Sequence, residues 1–561
     1  MFFYNKIVSI FVKEYLIINT RVFTFLVICD KLAFVILKGY MNMKKKGNLF
    51  VYIILVAAVL LTKVLGLARN ILLSANYGTG IEASAFTAVS NLPLIVFDVT
   101  FGTAISAAFV PVFNEKLSME GNKSANRFAS NFLNIVLLFS AVIAVLGIAF
   151  PKAAVMLVAS GFETNQNAVN LASDLMRIIM PIICFACGTF IFVGILQSYG
   201  QFIAPALVSL FSNLSMILYL VFINGVFGIH GLAVAFCIGW FLQFLFLIPF
   251  LKKKKFNYSF VIDFSSPEIK KVAILTLPLF VSALAQPINQ LISSNLSSGV
   301  SESGVATVNY AYNAYFIVAG VFSYALTNMF FPEMSRRFAC KDTKGATLIC
   351  KDMLSTITAI IMPIMVFLFA CSVPVIRIIY ERGEFTSQDT LNVAALLTVY
   401  SIGMVFLSWQ DILNKYFYSM QKSIVPMIAA ALGIALNFVL SILLIPVMGL
   451  KGLAVSTVVS GVLMTVVLCL FSMKYTKNIF DRGFIVELVK LIAGGIVVYF
   501  VCTFLLGLFD FSVSVVMQII YIAVIFITAV ILYFVVLVIL RSKNISNIKS
   551  FLRKEDRNAD I

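Results

Sequence analysis

The chain has 561 residues, of which 61% are hydrophobic and 12% charged, and carries a formal net charge of +17. So few polar residues cannot cover a water-soluble globule of this size, which excludes a soluble protein and points to an integral membrane protein. The surplus lysines and arginines are spread over separate loops, as expected for contact with anionic lipid, so nucleic acid is not an expected partner.

Met1 to Tyr40 is apolar but interrupted by Lys6, Lys13, Glu14, Arg21, Asp30 and Lys31. It offers no uninterrupted span and lacks the pattern of a signal peptide. Met41-Asn-Met43-Lys-Lys-Lys46 reads as a natural beginning, so residues 1–47 are either an upstream start or an interfacial amphipathic segment. From residue 48, apolar runs of about 20 residues, enough to cross a bilayer, recur fourteen times. The predicted spans are 48–76, 82–113, 127–150, 168–197, 202–223, 231–251, 269–297, 304–334, 347–371, 391–418, 423–447, 452–473, 485–508 and 513–540.

Two copies of a six-span unit account for the first twelve. Gly78/Gly299, Pro111/Pro332, Pro205/Pro426 and Gly231/Gly452 all share an offset of 221, and Gly228-Ile-His-Gly231-Leu-Ala-Val234 answers Gly449-Leu-Lys-Gly452-Leu-Ala-Val455. An even number of spans per unit makes the repeat parallel, as in carriers whose halves turn about an axis along the membrane normal. The expected fold is therefore an all-α membrane protein of about 14 transmembrane helices. An N-lobe (48–251) and a C-lobe (269–473) surround a central cavity and are joined by a basic linker (252–268). A final pair of helices (485–540) and a basic tail (541–561) follow. Basic residues cluster at alternate loops: Lys44–Lys46, Lys116 to Arg127, Lys252–Lys255, Arg336 to Lys351, Lys474 to Arg482, and the tail. The positive-inside rule then places both termini in the cytoplasm.

Most of the nine cysteines lie in apolar runs, where they behave as small hydrophobes. Cys184 and Cys187 have CxxC spacing, but His230 is the only histidine and lies at another boundary, so neither a metal site nor another cofactor is expected. The chain carries no Gly-rich phosphate loop, HExxH helix or nucleophile elbow, which argues against an enzyme.

Ionisable residues at membrane depth carry more information, since each costs at least ~2.5–3.5 kcal/mol at a helix centre unless paired or facing water. Asp174/Arg177 and Asp411/Lys415 have spacings that let neighbours on a helix pair. Lys63 and Arg69 have no acid within a turn, and the nearest in the repeat unit is Asp98 on the second span. They lie about 9 Å apart along a helix and point roughly 120° apart; a bend at Gly66 would bring them together, and Pro93 is placed to bend the second span. A cationic chamber of this kind selects an anionic cargo, and arginine's planar fork suits phosphate oxygens. The seventh span adds uncharged groups, Gln286, Asn289, Gln290, Ser293, Ser294 and Asn295. They line a neutral-polar second lobe or pack helix against helix.

Lys63-Val-Leu-Gly66-Leu-Ala-Arg69, Tyr77-Gly78, Ala85-Phe86, Leu92-Pro93 and Ala108-Phe109-Val-Pro111 resemble the MurJ (MviN) lipid II flippases of the multidrug/oligosaccharidyl-lipid/polysaccharide exporter superfamily. So do Tyr310-Ala311, Phe331-Pro332, Tyr380-Glu-Arg-Gly383-Glu-Phe385-Thr386, Tyr400-Ser-Ile-Gly403, Phe417-Tyr418-Ser419 and Pro426. The resemblance implies outward flipping of undecaprenyl-pyrophosphate-linked muropeptide across a bacterial plasma membrane by alternating access, with Lys63 and Arg69 at the family's first-helix positions for the diphosphate. It implies a groove for the lipid tail in the last two helices, and membrane lipids and cell-wall synthesis enzymes as candidate partners. Energy would come from an ion gradient or the membrane potential.

The chain departs from the family pattern at Asn70, where many members are acidic, and at Phe97 and Asn313, where they are basic. Asp98, Gln286, Asn289 and Asn313 are the substitutes expected to complete the site. A flippase for another polyprenyl-linked glycan and a cation-coupled drug exporter of the same superfamily are the alternatives.

Overall fold

The computed structural model describes residues 48–102, 105–283, 285–476, 479–511 and 513–545. The expectations for residues 1–47 and for the tail beyond 545 fall outside them. Among the described residues the chain is helical and has no strand. The predicted spans fall on single helices or on helices broken into pieces, the second span, 82–113, crossing four of them. Among the described residues ten helices are long and apolar enough to cross a membrane, or eleven if the pair Ser387–Ile402 and Met404–Ser419, bent by 46°, is one span, so the expected count of fourteen is not reached.

The breaks follow local chemistry. Pro181 separates Gln166–Ile179 from Ile182–Ser198, because proline cannot supply the N–H that a continuing helix needs. Helix starts are capped: Asn165 accepts from the amides of Asn167 and Ala168, Asp342 from that of Gly345, and Thr386 with Asp389 forms a reciprocal capping box.

The duplication is visible in the backbone. Gly228 (φ 53°, ψ −145°) and Gly449 (φ 58°, ψ −138°) occupy the same conformation 221 residues apart, a region open essentially to glycine alone. At the same offset, Gly200 and Gln421 are both left-handed. Each closes a helix end in the same way, with Gln201 N–H donating to Leu196 O (2.8 Å) and Lys422 N–H to Phe417 O (2.9 Å).

Contacts gather the chain into two units that cut across the repeats. The first comprises the chain up to Leu72 with Ala108–Ala144 and Pro181–Lys271; the second comprises Leu73–Ala107, Val145–Met180 and everything from Val272. In the first unit, Leu61 and Leu65 pack against Ile203, Leu207, Ile217 and Val221. The stretch after Lys255 has no helix of its own, and its backbone is held by side chains of the Gly121–Ala149 helix. Asn126 donates to Lys255 O (3.1 Å), Asn134 to Val261 O (2.9 Å), and Asn131 exchanges two bonds with the Asp263 backbone. Asparagine at these positions satisfies backbone groups that secondary structure leaves open.

In the second unit the last two long helices, Arg482–Leu508 and Val515–Ile539, pack on each other, Tyr533 lying over Gly494. Their outer faces expose Phe500, Phe504, Ile527 and Ile531, the surface expected where hydrocarbon rather than water is the solvent. Glu487 is buried and pins the end of the pair, accepting from Lys490 (2.7 Å), the Ser542 hydroxyl (2.6 Å) and the Lys543 amide (3.1 Å).

Candidate functional site

The first helix, Asn48–Tyr77, is rotated by its core contacts. Leu61 and Leu65 face inward, and Asn213 donates to Thr62 O (3.4 Å) and Ser209 O (3.0 Å). Lys63 and Val64 therefore face away from the packed side and are exposed. Helical hydrogen bonding runs unbroken through Gly66, which faces Asn213. Arg69 is half-buried, and its Nε and Nη2 both donate to Asn70 Oδ1, at 3.2 and 3.0 Å. A neutral carbonyl thus helps to orient the fork.

Asp98 belongs to the second unit and is exposed. The Ile81–Phe97 helix continues through Pro93 for another turn before widening into π-helical turns at Asp98–Gly102 and Ile105–Phe109. The change in helical pattern thus begins at Asp98, beyond the Pro93 where a bend was expected. Such π turns inside a helix recur at functional sites.

The other predicted residues lie on the second unit's helices. Asn289, on Ala285–Ser298, accepts from Asn437 Nδ2 (2.9 Å). Asn313, on Gly304–Ala339, donates to Asn309 Oδ1 (2.7 Å). Gln286 lies on the same helix as Asn289, but its side chain is outside the described ones. Asn289 and Asn309 line a cavity of about 340 Å³ together with Ser294, Tyr312, Tyr400 and Asp411. Asp411 departs from the expected pairing: Lys415 holds its ammonium 5.1 Å above the Phe331 ring. Asp174 and Arg177 do pair, at 2.7 Å and with both side chains exposed.

A second cluster in this unit joins segments far apart in the chain. Tyr310, Tyr380 and Phe385 pack with ring centroids 5.0 to 5.8 Å apart. The Tyr310 hydroxyl donates to Gly78 O (3.2 Å), the Glu384 amide to Ala75 O (2.9 Å), and Thr79 bonds Asp389. Tyr77-Gly78 and the 380–386 stretch were singled out as motifs, but only the fold shows that they clasp one another.

A family model described as "Lipid II flippase MurJ" matches residues 73–544. The chain belongs to the lipid II flippase MurJ family. A "Probable lipid II flippase MurJ" of Rhizobium tropici is 28% identical over 413 residues, covering 72% of this chain and 77% of the relative. A solved structure titled "Lipid II flippase MurJ, inward closed conformation" superposes with a TM-score of 0.74 at 26% identity, covering 85% of this chain and 98% of that one. An inward-facing MATE transporter of the MOP superfamily shares the fold, with a TM-score of 0.61 at 15% identity over 74% of this chain and 95% of its own.

Within this MurJ-family chain, the departures have structural counterparts. Asn70 accepts from the Arg69 fork through its side-chain carbonyl. Phe97 is buried and Asn313 is tied to Asn309, so neither position offers a cation. Sequence reasoning missed Asp411, Asn309 and the three cavity tyrosines, Tyr312, Tyr315 and Tyr400. The available signal was a carboxylate in an apolar run, which the nearby Lys415 obscured. Cys184 and Cys187 are free thiols, and no group of three or more His, Cys, Asp or Glu side chains gathers among the described residues.

Proposed function

We propose that this chain moves lipid II, an undecaprenyl-pyrophosphate-linked muropeptide, from the cytoplasmic to the outer leaflet of a bacterial plasma membrane. It acts as a transporter rather than an enzyme, by alternating access of the two repeat lobes, 48–251 and 269–473. The observation that carries this beyond family membership is Arg69. Its guanidinium is oriented by Asn70, and an oriented planar fork is the group that best matches diphosphate oxygens. Lys63, exposed on the same helix, supplies a second charge. The apolar faces of Arg482–Leu508 and Val515–Ile539 suit the polyprenyl tail. Both termini lie in the cytoplasm, on the side of the basic loops. No cofactor takes part; the membrane potential or an ion gradient drives the cycle, and membrane lipids and cell-wall synthesis enzymes are its partners.

The buried Phe97 and the neutral Asn313 favour a second reading, a flippase for a different polyprenyl-linked glycan. Reconstitution into proteoliposomes separates the two. Protein-dependent movement of fluorescent lipid II, lost in Arg69→Ala, supports the first. Movement only of a polyprenyl diphosphate with another glycan supports the second.

A further inference from the structure

The cavity of the second unit has a chemistry that the diphosphate does not require. Among the described residues that line it, Asp411 is the only carboxylate and there is no lysine, arginine or histidine. Tyr312, Tyr315 and Tyr400 all line it and are mutually packed, with ring centroids 5.7 to 5.9 Å apart. A carboxylate beside a group of aromatic rings attracts a cation twice, through charge and through the ring quadrupoles. It repels phosphate. The remaining wall is amide and hydroxyl, including Asn289, Asn309 and Ser294, groups that fix the orientation of a peptide or sugar.

The size of the cavity suits a ligand. The volume of about 340 Å³ lies in the range of small-molecule sites, far more than a bare metal ion with its ligand shell at about 2.0–2.6 Å requires.

We propose that this cavity receives an ammonium group carried on the peptide portion of the cargo, with Asp411 as its counter-ion and the three tyrosines as its cage. The inference rests on the flippase reading and deepens it. A muropeptide lipid is amphoteric, with an anionic diphosphate at one end of its headgroup and a peptide amine towards the other. The cavity recognises the second charge and so distinguishes amine-bearing peptides from blocked ones.

The test uses full-length protein in nanodiscs and two probes, lipid II with a free side-chain amine on its peptide and the same lipid with that amine acetylated. Wild type is expected to bind the free-amine probe about tenfold more tightly, the scale of one charge-assisted bond. Asp411→Asn is expected to bind both probes alike, and Asp411→Glu to keep a preference. Equal binding of both probes by wild type, or a preference that survives in Asp411→Asn, overturns the inference and leaves the flippase reading standing. Binding that ignores the amine but needs Na⁺ in an Asp411-dependent way assigns the site to a free ion and also overturns it. Binding of neither probe by wild type removes the flippase reading and this inference with it.

Discussion

The first-helix site and the second unit's cavity sit on duplicated scaffolding yet carry opposite chemistry. Around Arg69 the guanidinium donates to the neutral Asn70, and the residue itself is a cation. Around Asp411 the walls are tyrosine, amide and hydroxyl, and the charge is negative. The backbone, by contrast, keeps its turns at the 221-residue offset: Gly228 matches Gly449, and Gly200 matches Gln421. Duplication has preserved the conformations that the chain path requires and left the polar side chains free to diverge.

The most damaging change to this contrast is Arg69→Ala. It is expected to lower flipping by roughly tenfold or more, since a charge-assisted bond to phosphate is lost, while membrane insertion and yield stay normal; a flipping rate measured in proteoliposomes checks it. Arg69→Lys is expected to fall between, because a point charge replaces a planar fork.

Next in size are Gly228→Ala and Gly449→Ala. Each forces a side chain into a glycine-only conformation and is expected to destabilise the protein by ~1–3 kcal/mol, read as a drop in thermal midpoint in detergent. The two drops should be similar. Gly225→Ala is the control, with φ outside the left-handed region and no atom within 4 Å of the added carbon, and is expected to change little. Unequal effects at Gly228 and Gly449 would break the equivalence of the two turns.

The smallest effect concerns the end of the first unit, where Glu268 pairs with Lys116. Burial pushes the Glu268 carboxyl up, but hydrogen bonds from Lys116 and Ser266 outweigh it and hold the group down at about 2. A depressed folded-state value means that the contact stabilises fully above the ordinary value of 4.5 and is lost as pH falls from there towards 2. Glu268→Gln is expected to flatten this acid dependence by lowering the thermal midpoint at pH 7 to the same small extent that wild type loses on acidification, the two converging near pH 2.

Much of the fold was legible because long apolar runs, basic loops and a constant offset are one-dimensional signals. The helices from Asn48 to Ile539 stand where those runs lie. Arg69 was legible for the same reason, as a charge inside an apolar run. The packing of Asn213 against Gly66 left no trace in the sequence. The Asp411 cavity escaped because i,i+4 spacing suggested Lys415 as its partner, whereas the lysine found the Phe331 ring. Which of two competing partners a side chain takes depends on neighbours distant in the chain, and no local pattern records that. The clasp of Gly78 with Tyr310 and of Ala75 with Glu384 was present in the motifs only as separate fragments.

The most direct test of the central claim is made in the native cell. The protein is depleted, intact cells are treated with an external enzyme that cleaves only outward-facing lipid II, and the cleaved fraction is measured after complementation with wild type or Arg69→Ala. Protection of lipid II on depletion, reversed by wild type and not by a well-expressed Arg69→Ala, is the expected result. Lipid II that stays cleavable after depletion, or is restored to cleavage by Arg69→Ala, would contradict the account.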